Sequence, residues 1–469
     1  MPERLVVIGG DAAGMAAASQ ARRRRDPDDL AIVAFERGHY TSYSACGIPY
    51  FVGGLVKSQD ELVARAPEVF RRDFSIDART RQEVTEVDLA RREVRVRDLD
   101  GGREYAEPFD SLMIGTGSVP MRPPVPGIDA DGVYGVQTLD DGVALRRELD
   151  SGRVRRVVVV GGGYIGLEIA EAATGRGLQV TVVDLARTPV STFDPDIGEF
   201  IATAVRGLGI ELVLGEAVTA VETTARGRAA AVHTATGREL PADVVVLGLG
   251  VRPNVALADA AGVPLGPSGG IAVDQRMRTS VDGVWAAGDC VESVHRLSGQ
   301  RVVVALGTHA NKQGRVAGIN LGGGYATFPG VIGTAVTKIC DLEVARTGLS
   351  EQEARDAGFE FVTAHVDSTT RAGYYPGAQP IRVKMTTERR SGRLLGAQIV
   401  GREGAAKRID VLAACIWNAM TVEEVLSLDL SYAPPFAPVW DPVLIAARKA
   451  WEAVEADIAS SSTSGTAGA

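Results

Sequence analysis

Cys46 is the residue of this sequence with the clearest chemical potential. It lies in the segment TSYSACGIPY, residues 41–50, and is the only cysteine among the first 289 residues. The apolar run Leu30–Glu36 predicts a buried strand, so Cys46 follows a strand and precedes Pro49. A helix beginning here would lower the pKa of the thiol and favour a nucleophilic thiolate. The alternative is a buried cysteine without reactivity.

Two glycine-rich turns could each hold the diphosphate of a dinucleotide. The first, Gly9–Gly14 (GGDAAG), follows the predicted strand Leu5–Ile8 and precedes an alanine-rich helix. The first and last glycines of the dinucleotide fingerprint are present, but Asp11 occupies the middle glycine position. Glu36 ends the next strand, where a carboxylate can accept hydrogen bonds from a ribose.

The second turn carries the complete fingerprint. It follows the predicted strand Arg156–Val160, and the next strand ends at the acid Asp184. Each unit needs its own strand, glycine turn and acid, so the pair is far more specific than either unit alone. The fingerprint glycines are Gly161, Gly163 and Gly166.

The rest of the pattern shows what must surround these turns. Residues 75–110 alternate like antiparallel strands, and Asp243–Gly250 predicts a strand that closes the second unit. Asp289 ends a short predicted strand and is placed to bind a polyol chain. From about Phe328 the pattern changes to an α+β unit without a fingerprint, which contains Tyr374, Tyr375 and Tyr432.

Composition excludes several classes of protein. The chain has 469 residues, 45% hydrophobic and 23% charged, which is typical of a globular protein of two to four domains. The formal net charge of −9 argues against a general nucleic-acid binder. No apolar run reaches about 18 residues, so no membrane span is predicted. Four scattered cysteines and an N-terminus without a signal peptide predict a reduced, cytoplasmic protein.

Together and in this order, the motifs resemble the FAD-dependent pyridine nucleotide–disulfide oxidoreductases, over essentially the whole chain to about residue 455. SYSACGIPY, with YYPG and YAPPF, is most similar to the coenzyme A–disulfide reductase and NADH oxidase branch, which uses a single active-site cysteine. The implied fold is α/β. Two Rossmann-like domains bind FAD (residues 1–120 and 250–327) and NAD(P)H (121–249), and an α+β domain (328–455) forms a homodimer. Residues 456–469 are expected to be a disordered tail.

The resemblance also implies which residues form each site, with no metal ligands among them. Cys46 would be catalytic, with Tyr374 and Tyr432 reaching it from the partner subunit. A small thiol, with coenzyme A leading, would contact Gln20, Arg23, Ser42 and His309. NADH, or NADPH, would bind at Gly161, Gly163, Tyr164, Ile165, Gly166, Asp184 and Gly250. FAD would bind at Gly9, Gly10, Ala12, Ala13, Gly14, Glu36, Arg37, Ser42, Gly115, Thr116, Gly117, Gly288 and Asp289.

The reaction of Cys46 leaves three functions open. Position 41 is a threonine, so no disulfide of the C-x4-C type can form, and the oxidised enzyme would hold a mixed disulfide or a sulfenic acid. The first function is reduction of a small disulfide or persulfide, coenzyme A disulfide being the leading substrate. The second is an NADH oxidase or peroxidase that uses a Cys46 sulfenic acid. The third reduces quinone-type acceptors, with Cys46 incidental. The first glycine turn lacks the histidine usual in the oxidase branch, which favours the reductase.

Overall fold

The computed structural model describes residues 2–464, with side chains to residue 459. Its first segment contributes four strands to a parallel sheet whose central strand is Glu3–Ile8. The last four residues of that strand are buried, as expected where helices cover both faces of a sheet. The elements of this segment are β1 (Glu3–Ile8), α1 (Ala12–Arg22), β2 (Leu30–Phe35), α2 (Ile48–Gly53), α3 (Pro67–Phe74), β3 (Ile76–Arg79), β4 (Gln82–Asp88), β5 (Glu93–Asp98), β6 (Glu104–Pro108), β7 (Ser111–Ile114) and β8 (Ser118–Pro120).

The second segment repeats this arrangement. Its five parallel strands lie in the order β12-β11-β10-β16-β9, and a three-stranded antiparallel sheet, β13-β14-β15, packs beside them. The valine-rich strand at the centre of the parallel sheet is buried after its first residue. The elements are β9 (Val133–Gly135), α4 (Leu139–Asp150), β10 (Arg156–Val160), α5 (Tyr164–Gly175), β11 (Gln179–Asp184), α6 (Pro195–Gly207), β12 (Glu211–Leu214), β13 (Val218–Thr223), β14 (Ala229–Thr234), β15 (Glu239–Pro241) and β16 (Val244–Leu247).

The third segment returns to the first sheet. Its strand Val284–Ala286 pairs in parallel with Ser111–Ile114 and completes five strands. The helix Gly307–Leu321 packs closely along α1, because Gly314 and Gly318 have no side chain. A Cβ at either position would collide with the backbone of Ala13 or Ala17. The elements are β17 (Val251–Pro253), α7 (Ala256–Ala260), β18 (Val284–Ala286), β19 (Ser293–Val294), β20 (Arg301–Val302) and α8 (Gly307–Leu321).

The C-terminal segment is an antiparallel sheet in the order β21-β22-β25-β24-β23, with helices packed against it. The α+β character predicted for this unit is confirmed. Among the described residues no helix has the length and hydrophobicity needed to cross a membrane. The elements are β21 (Ala335–Ile339), β22 (Leu342–Gly348), α9 (Glu351–Asp356), β23 (Phe361–Thr369), β24 (Pro380–Glu388), β25 (Leu394–Gly401), α10 (Ile409–Trp417), α11 (Val422–Leu426) and α12 (Pro442–Ser464).

The expectation of a disordered tail from residue 456 is wrong for residues 456–464, which continue α12. The helix begins with Pro442, which is favourable at a first helical position. Its buried residues Val443, Ala446, Ala450 and Val454 recur at helical spacing. Near its end Asp457 pairs with Arg389, which ties the last turns to the sheet. Residues 465–469 of the expected tail lie outside the described residues.

A buried ion network joins the second segment to the C-terminal sheet. The Lys384 ammonium on β24 lies 3.0 Å from Asp194 Oδ2, 2.7 Å from Asp196 Oδ1 and 2.7 Å from Glu351 Oε1. The Lys384 side chain is only 5% exposed and that of Asp194 only 2%. Burial alone would lower the pKa of Lys384, but its hydrogen bonds to Asp196 and Glu351 raise it. A protonated lysine therefore binds three carboxylates from both sides of this contact.

Candidate active site

The first glycine turn is built by close contact between two strand ends. Gly9 has φ +106°, and a Cβ there would collide with the carbonyl oxygen of Gly115. A Cβ on Gly14 would collide with the carbonyl oxygen of Gly9, so the start of α1 rests directly on the turn. Both glycines that the fingerprint requires for packing are thus needed here, and Gly115 belongs to the same contact.

Glu36 stands at the end of β2, where the sequence predicts a ribose ligand. Its Oε2 accepts a hydrogen bond from Gly10 N at 2.8 Å, and its Oε1 accepts one from Gly38 N at 2.7 Å. Each carboxylate oxygen keeps a second lone pair for a ligand hydroxyl. Beside it lies a cavity of about 430 Å³, lined by Arg37 and Tyr43 among others. The first unit therefore has both the turn and the acid that a bound dinucleotide needs.

Asp289 lies just beyond β18, at the same edge of the sheet. Its Oδ2 accepts a hydrogen bond from Ser118 Oγ at 3.1 Å, and burial raises the pKa of this carboxyl. The Gln313 side chain holds the loop by accepting from Gly288 N at 2.9 Å. Ser118 and Gln313 were not predicted, because neither belongs to a motif. Nearby, Thr116 Oγ1 donates to Asn254 O at 2.6 Å. This hydrogen bond joins the segment where the chain leaves the first unit to the segment where it returns.

The second glycine turn is built by the same close contacts, but its middle glycine, Gly163, makes no tight contact with the protein. A Cβ on Gly166 would collide with Gly161 O, whereas a Cβ on Gly163 would meet only Gly248 O, at 4.0 Å. Asp184 ends β11 and accepts hydrogen bonds from Gly162 N and from Ala186 N.

Tyr164 begins the helix after this turn, followed by Ile165, which is partly buried. The Tyr164 hydroxyl lies 3.2 Å from Thr192 Oγ1. Gly250, with φ +82°, comes shortly after β16 at the same sheet edge. The nucleotide-binding residues predicted around the second turn thus lie at the carboxyl ends of the parallel strands, where open α/β sheets bind ligands.

Cys46 lies between the two units and is exposed. It is held in a single 3-10 turn, Ala45–Gly47, and the following helix α2 packs against α4 and α5 of the second unit. The expected lowering of the thiol pKa is wrong. Desolvation by the surrounding protein and the charges of Glu168 and Asp289 raise the pKa of Cys46. One short turn has little dipole to oppose these carboxylates.

Two residues beside Cys46 were not predicted. Tyr50 follows it by one helical turn, and Glu168 lies on α5. Burial raises the pKa of Tyr50, and the charges of Glu168 and Cys46 raise it further. Thr337 Oγ1 of the C-terminal sheet donates to Glu168 Oε1 at 2.8 Å, and burial raises the pKa of this carboxyl. The helix after the second fingerprint is mostly apolar and has only two charged residues, Glu168 and Glu171, which is the signal that could have identified Glu168.

Tyr374 and Tyr432 are both on the surface of the C-terminal unit. Tyr374 is 79% exposed and Tyr432 is 46% exposed. A hydrogen bond to Tyr374 raises the pKa of Tyr432, so the structure brings the two predicted tyrosines together. The backbone N–H of Ala372 donates to Pro434 O at 3.1 Å, which brings their two loops together. With the exposed apolar side chains that follow Tyr432 in the chain, these tyrosines form what we call the aromatic patch: Tyr374, Tyr432, Phe436, Val439 and Trp440.

The four predicted thiol-binding residues lie along one pair of helices and an adjoining loop. Ser42 has φ +46° and donates its backbone N–H to Gly10 O at 2.9 Å, close to the first turn. His309 begins α8, and burial and Lys312 lower its pKa to about 4. Gln20 and Arg23 lie near the other end of α1, roughly 15 Å along the helix from its start. The structure therefore places these residues along an extended line and does not cluster them at one point.

Two protein-family profiles match the chain. The profile of the pyridine nucleotide-disulphide oxidoreductases matches residues 3–314, and that of the family's dimerisation domain matches residues 334–442. The chain belongs to the pyridine nucleotide-disulphide oxidoreductases. Both parallel sheets, both glycine turns and the antiparallel C-terminal sheet fall within the matched residues.

Relatives of this oxidoreductase share nearly its whole length. The NAD(P)H sulfur oxidoreductase (CoA-dependent) of Pyrococcus abyssi is 41% identical over 95% of this chain and 97% of its own. The NAD(P)H coenzyme A polysulfide/persulfide reductase of Pyrococcus horikoshii is 40% identical over 96% of this chain and 98% of its own. The NAD-dependent persulfide reductase of A. fulgidus superposes with a TM-score of 0.92 and 39% identity, over 96% of this chain and 83% of that one.

Proposed function

We propose that this oxidoreductase uses a reduced pyridine nucleotide to reduce sulfur bound to a small thiol, coenzyme A, through Cys46. The observation that carries the proposal is the position of Cys46, an exposed cysteine between two dinucleotide-type units. Residue 41, which could hold a resolving cysteine, is the buried Thr41. The relatives that are 41% and 40% identical are named a CoA-dependent sulfur oxidoreductase and a coenzyme A polysulfide/persulfide reductase, so a persulfide or polysulfide is a better substrate candidate than coenzyme A disulfide.

FAD fits the first unit, residues 1–120 with 250–327, and the nicotinamide nucleotide fits residues 121–249. The Gly9 and Gly14 contacts make the cradle, Glu36 faces the cavity beside it, and Asp289 is a buried carboxyl at the same edge. When bound, FAD supplies the chemistry that converts a hydride into an electron pair for sulfur. The free cysteines Cys46, Cys290, Cys340 and Cys415 suit a reducing compartment, and we infer a cytoplasmic location.

Cys46 acts as the nucleophile of this scheme. The Cys46 thiol, whose pKa is raised, first gives up its proton. The thiolate then attacks the sulfane sulfur of a coenzyme A persulfide, the S–S bond breaks, and the leaving coenzyme A thiolate takes up a proton. Two electrons then cleave the new S–S bond on Cys46, which releases hydrosulfide and restores the thiolate. With coenzyme A disulfide the same attack leaves a mixed disulfide on Cys46 and releases one coenzyme A. Tyr432 or Tyr374 can protonate the leaving sulfur if a second subunit carries them to this site.

The choice of acceptor tests this function. We expect NADH oxidation to be fastest with coenzyme A persulfide or polysulfide, slower with coenzyme A disulfide, and slowest with oxygen or menadione as the only acceptor. Equal or faster turnover with oxygen would support the oxidase alternative, in which Cys46 forms a sulfenic acid. Equal or faster turnover with menadione would support the quinone-type alternative.

Asp184 predicts a preference for NADH. Its carboxylate can accept hydrogen bonds from both ribose hydroxyls of NADH and repels the 2′-phosphate of NADPH. We expect a higher kcat/KM for NADH in the wild type, and Asp184→Ala to lower kcat/KM for NADH by about tenfold, the effect of one lost hydrogen bond to a charged group. The matched control is Glu211→Ala, an exposed carboxylate at the start of the neighbouring strand. A wild-type preference for NADPH, or equal values for both nucleotides, would contradict the role of Asp184.

The aromatic patch predicts a homodimer. Phe436 is 74% exposed and Val439 is 68% exposed, and such clusters of apolar side chains mark interaction surfaces. We expect sedimentation velocity to show a dimer for the wild type and a monomer for Phe436→Glu, because a carboxylate cannot be buried there without a partner. Tyr325→Glu is the control, since Tyr325 is 77% exposed and lies outside the patch. A fully active wild-type monomer would remove Tyr374 and Tyr432 from the catalytic site.

A further inference from the structure

Asp11 places an acid where the first glycine turn should have its middle glycine. In the second turn the equivalent residue is Gly163, and a Cβ there would meet only Gly248 O at 4.0 Å. Contacts within the protein therefore do not exclude a side chain at the middle position of the turn. The glycine serves the ligand, because it lets the backbone approach the diphosphate. In the first unit the corresponding space holds a carboxyl group.

The surroundings of Asp11 are acidic and largely buried. Its Oδ1 accepts a hydrogen bond from Tyr43 N at 3.1 Å. Glu36 and Asp289 face it from two strand ends, and the Tyr43 and Cys46 side chains face it from the loop before α2. The helix α8, which packs along α1, carries His309 and Lys312 in its first turns. Burial raises the pKa of Asp11 to about 7; the hydrogen bond from Tyr43 N opposes this shift, and the charges of Glu36 and Asp289 add to it.

We propose that Asp11 binds FAD as a neutral carboxylic acid, so that FAD binding takes up one proton at this residue. This inference rests on the proposed function, since it takes the first unit as the FAD site. The diphosphate of FAD is an anion, and an ionised Asp11 beside Glu36 and Asp289 would repel it. In its protonated form the same side chain can donate an O–H hydrogen bond to a phosphate oxygen and still accept from Tyr43 N.

The sign of the pH dependence follows from linkage. Below the pKa of the free protein Asp11 already carries its proton, so FAD affinity does not change with pH. Above it, each binding event must take up a proton from solvent, and affinity falls. For a single proton the dissociation constant rises about tenfold per pH unit. Because the pKa of Asp11 is about 7, the change in FAD affinity falls near neutral pH. An ordinary aspartate is already fully ionised there and would cause no such change.

FAD titration of the apoprotein tests this inference without an activity assay. Flavin fluorescence quenching between about pH 6 and pH 9 should show a dissociation constant that is constant at first and rises about tenfold per unit above about pH 7. Calorimetry in buffers of different ionisation enthalpy should show uptake of one proton per FAD at about pH 8. Asp11→Asn keeps the oxygen that accepts from Tyr43 N but cannot ionise, and Asp11→Gly restores the fingerprint. Both variants should show a flat profile and bind FAD more tightly than the wild type at high pH.

Asp289→Asn tests whether Asp289, a neighbouring carboxyl whose pKa burial also raises, causes the slope instead of Asp11, and this variant should keep the wild-type slope. A flat wild-type profile, or an equal slope in Asp11→Asn, would overturn the inference while leaving FAD as the cofactor. If the apoprotein binds no FAD at any pH, the proposed function itself fails. These two failures are therefore distinguishable in one titration series.

Discussion

Replacing Cys46 with serine is expected to abolish reduction of coenzyme A-linked sulfur, by about 10³-fold or more, while NADH still reduces the flavin. Removal of a covalent nucleophile commonly has an effect of this size. In the proposed scheme the second unit would hold the nucleotide that reduces the flavin, whereas Cys46 lies in a separate 3-10 turn and takes part only in the sulfur chemistry. Loss at one site should therefore leave the other half-reaction intact. Stopped-flow absorbance of the flavin and steady-state NADH oxidation measure the two halves independently.

Cys340→Ser is the matched control for this substitution. Cys340 is also partly exposed, but it lies in the turn between β21 and β22 and forms no part of the proposed mechanism. We expect this variant to keep wild-type turnover. If Cys46→Ser also reduces its best sulfur substrate at the wild-type rate, Cys46 has no catalytic role, and the quinone-type alternative becomes the better account.

The second large effect is expected from Lys384→Met, which should lower the free energy of unfolding by about 3 to 5 kcal/mol. Loss of one partner from a buried ion network costs this much because the remaining charges stay buried without compensation. Here Asp194, Asp196 and Glu351 would all lose their ammonium partner. Methionine is similar in shape to lysine, so little packing changes. Chemical denaturation of the FAD-loaded protein, followed by tryptophan fluorescence, measures the difference.

Lys338→Met provides the comparison for Lys384. Lys338 also lies on the C-terminal sheet and pairs with Glu171 of the second unit, at 3.1 Å, but its side chain is 45% exposed. A pair of this kind contributes at most about 1 kcal/mol. Equal destabilisation by the two substitutions would show that the Lys384 network has no special part in joining the units.

Local patterns predicted the parts of the site that are local in the chain. Gly9, Gly14 and Glu36 fall where the strand–turn–helix pattern places them, because each is fixed by residues within one βαβ unit. The α+β character of the C-terminal unit was predicted for the same reason, since the change of pattern is visible within single segments. The end of α12 was not predicted because its serine-rich composition is typical of disordered segments, whereas its order comes from the packed helix that precedes it.

The surroundings of Cys46 could not be predicted in this way. Glu168 reaches it from a helix more than 120 residues later, through the packing of α2 on α5. Asp289 and Asp11 approach from two other strand ends. The direction of the thiol pKa depends on these charges and on burial, which are properties of tertiary structure. A sequence-based argument from the helix dipole alone therefore gave the wrong sign.

The most direct test of the central claim is intact mass spectrometry of the protein after exposure to coenzyme A disulfide. We expect a mass increase of one coenzyme A per chain, located on Cys46 by peptide mapping, and its complete loss after addition of NADH. Cys46→Ser should gain no mass under the same conditions. An unmodified wild-type protein, an adduct on another cysteine, or an adduct on Cys46 that NADH does not release would contradict the account.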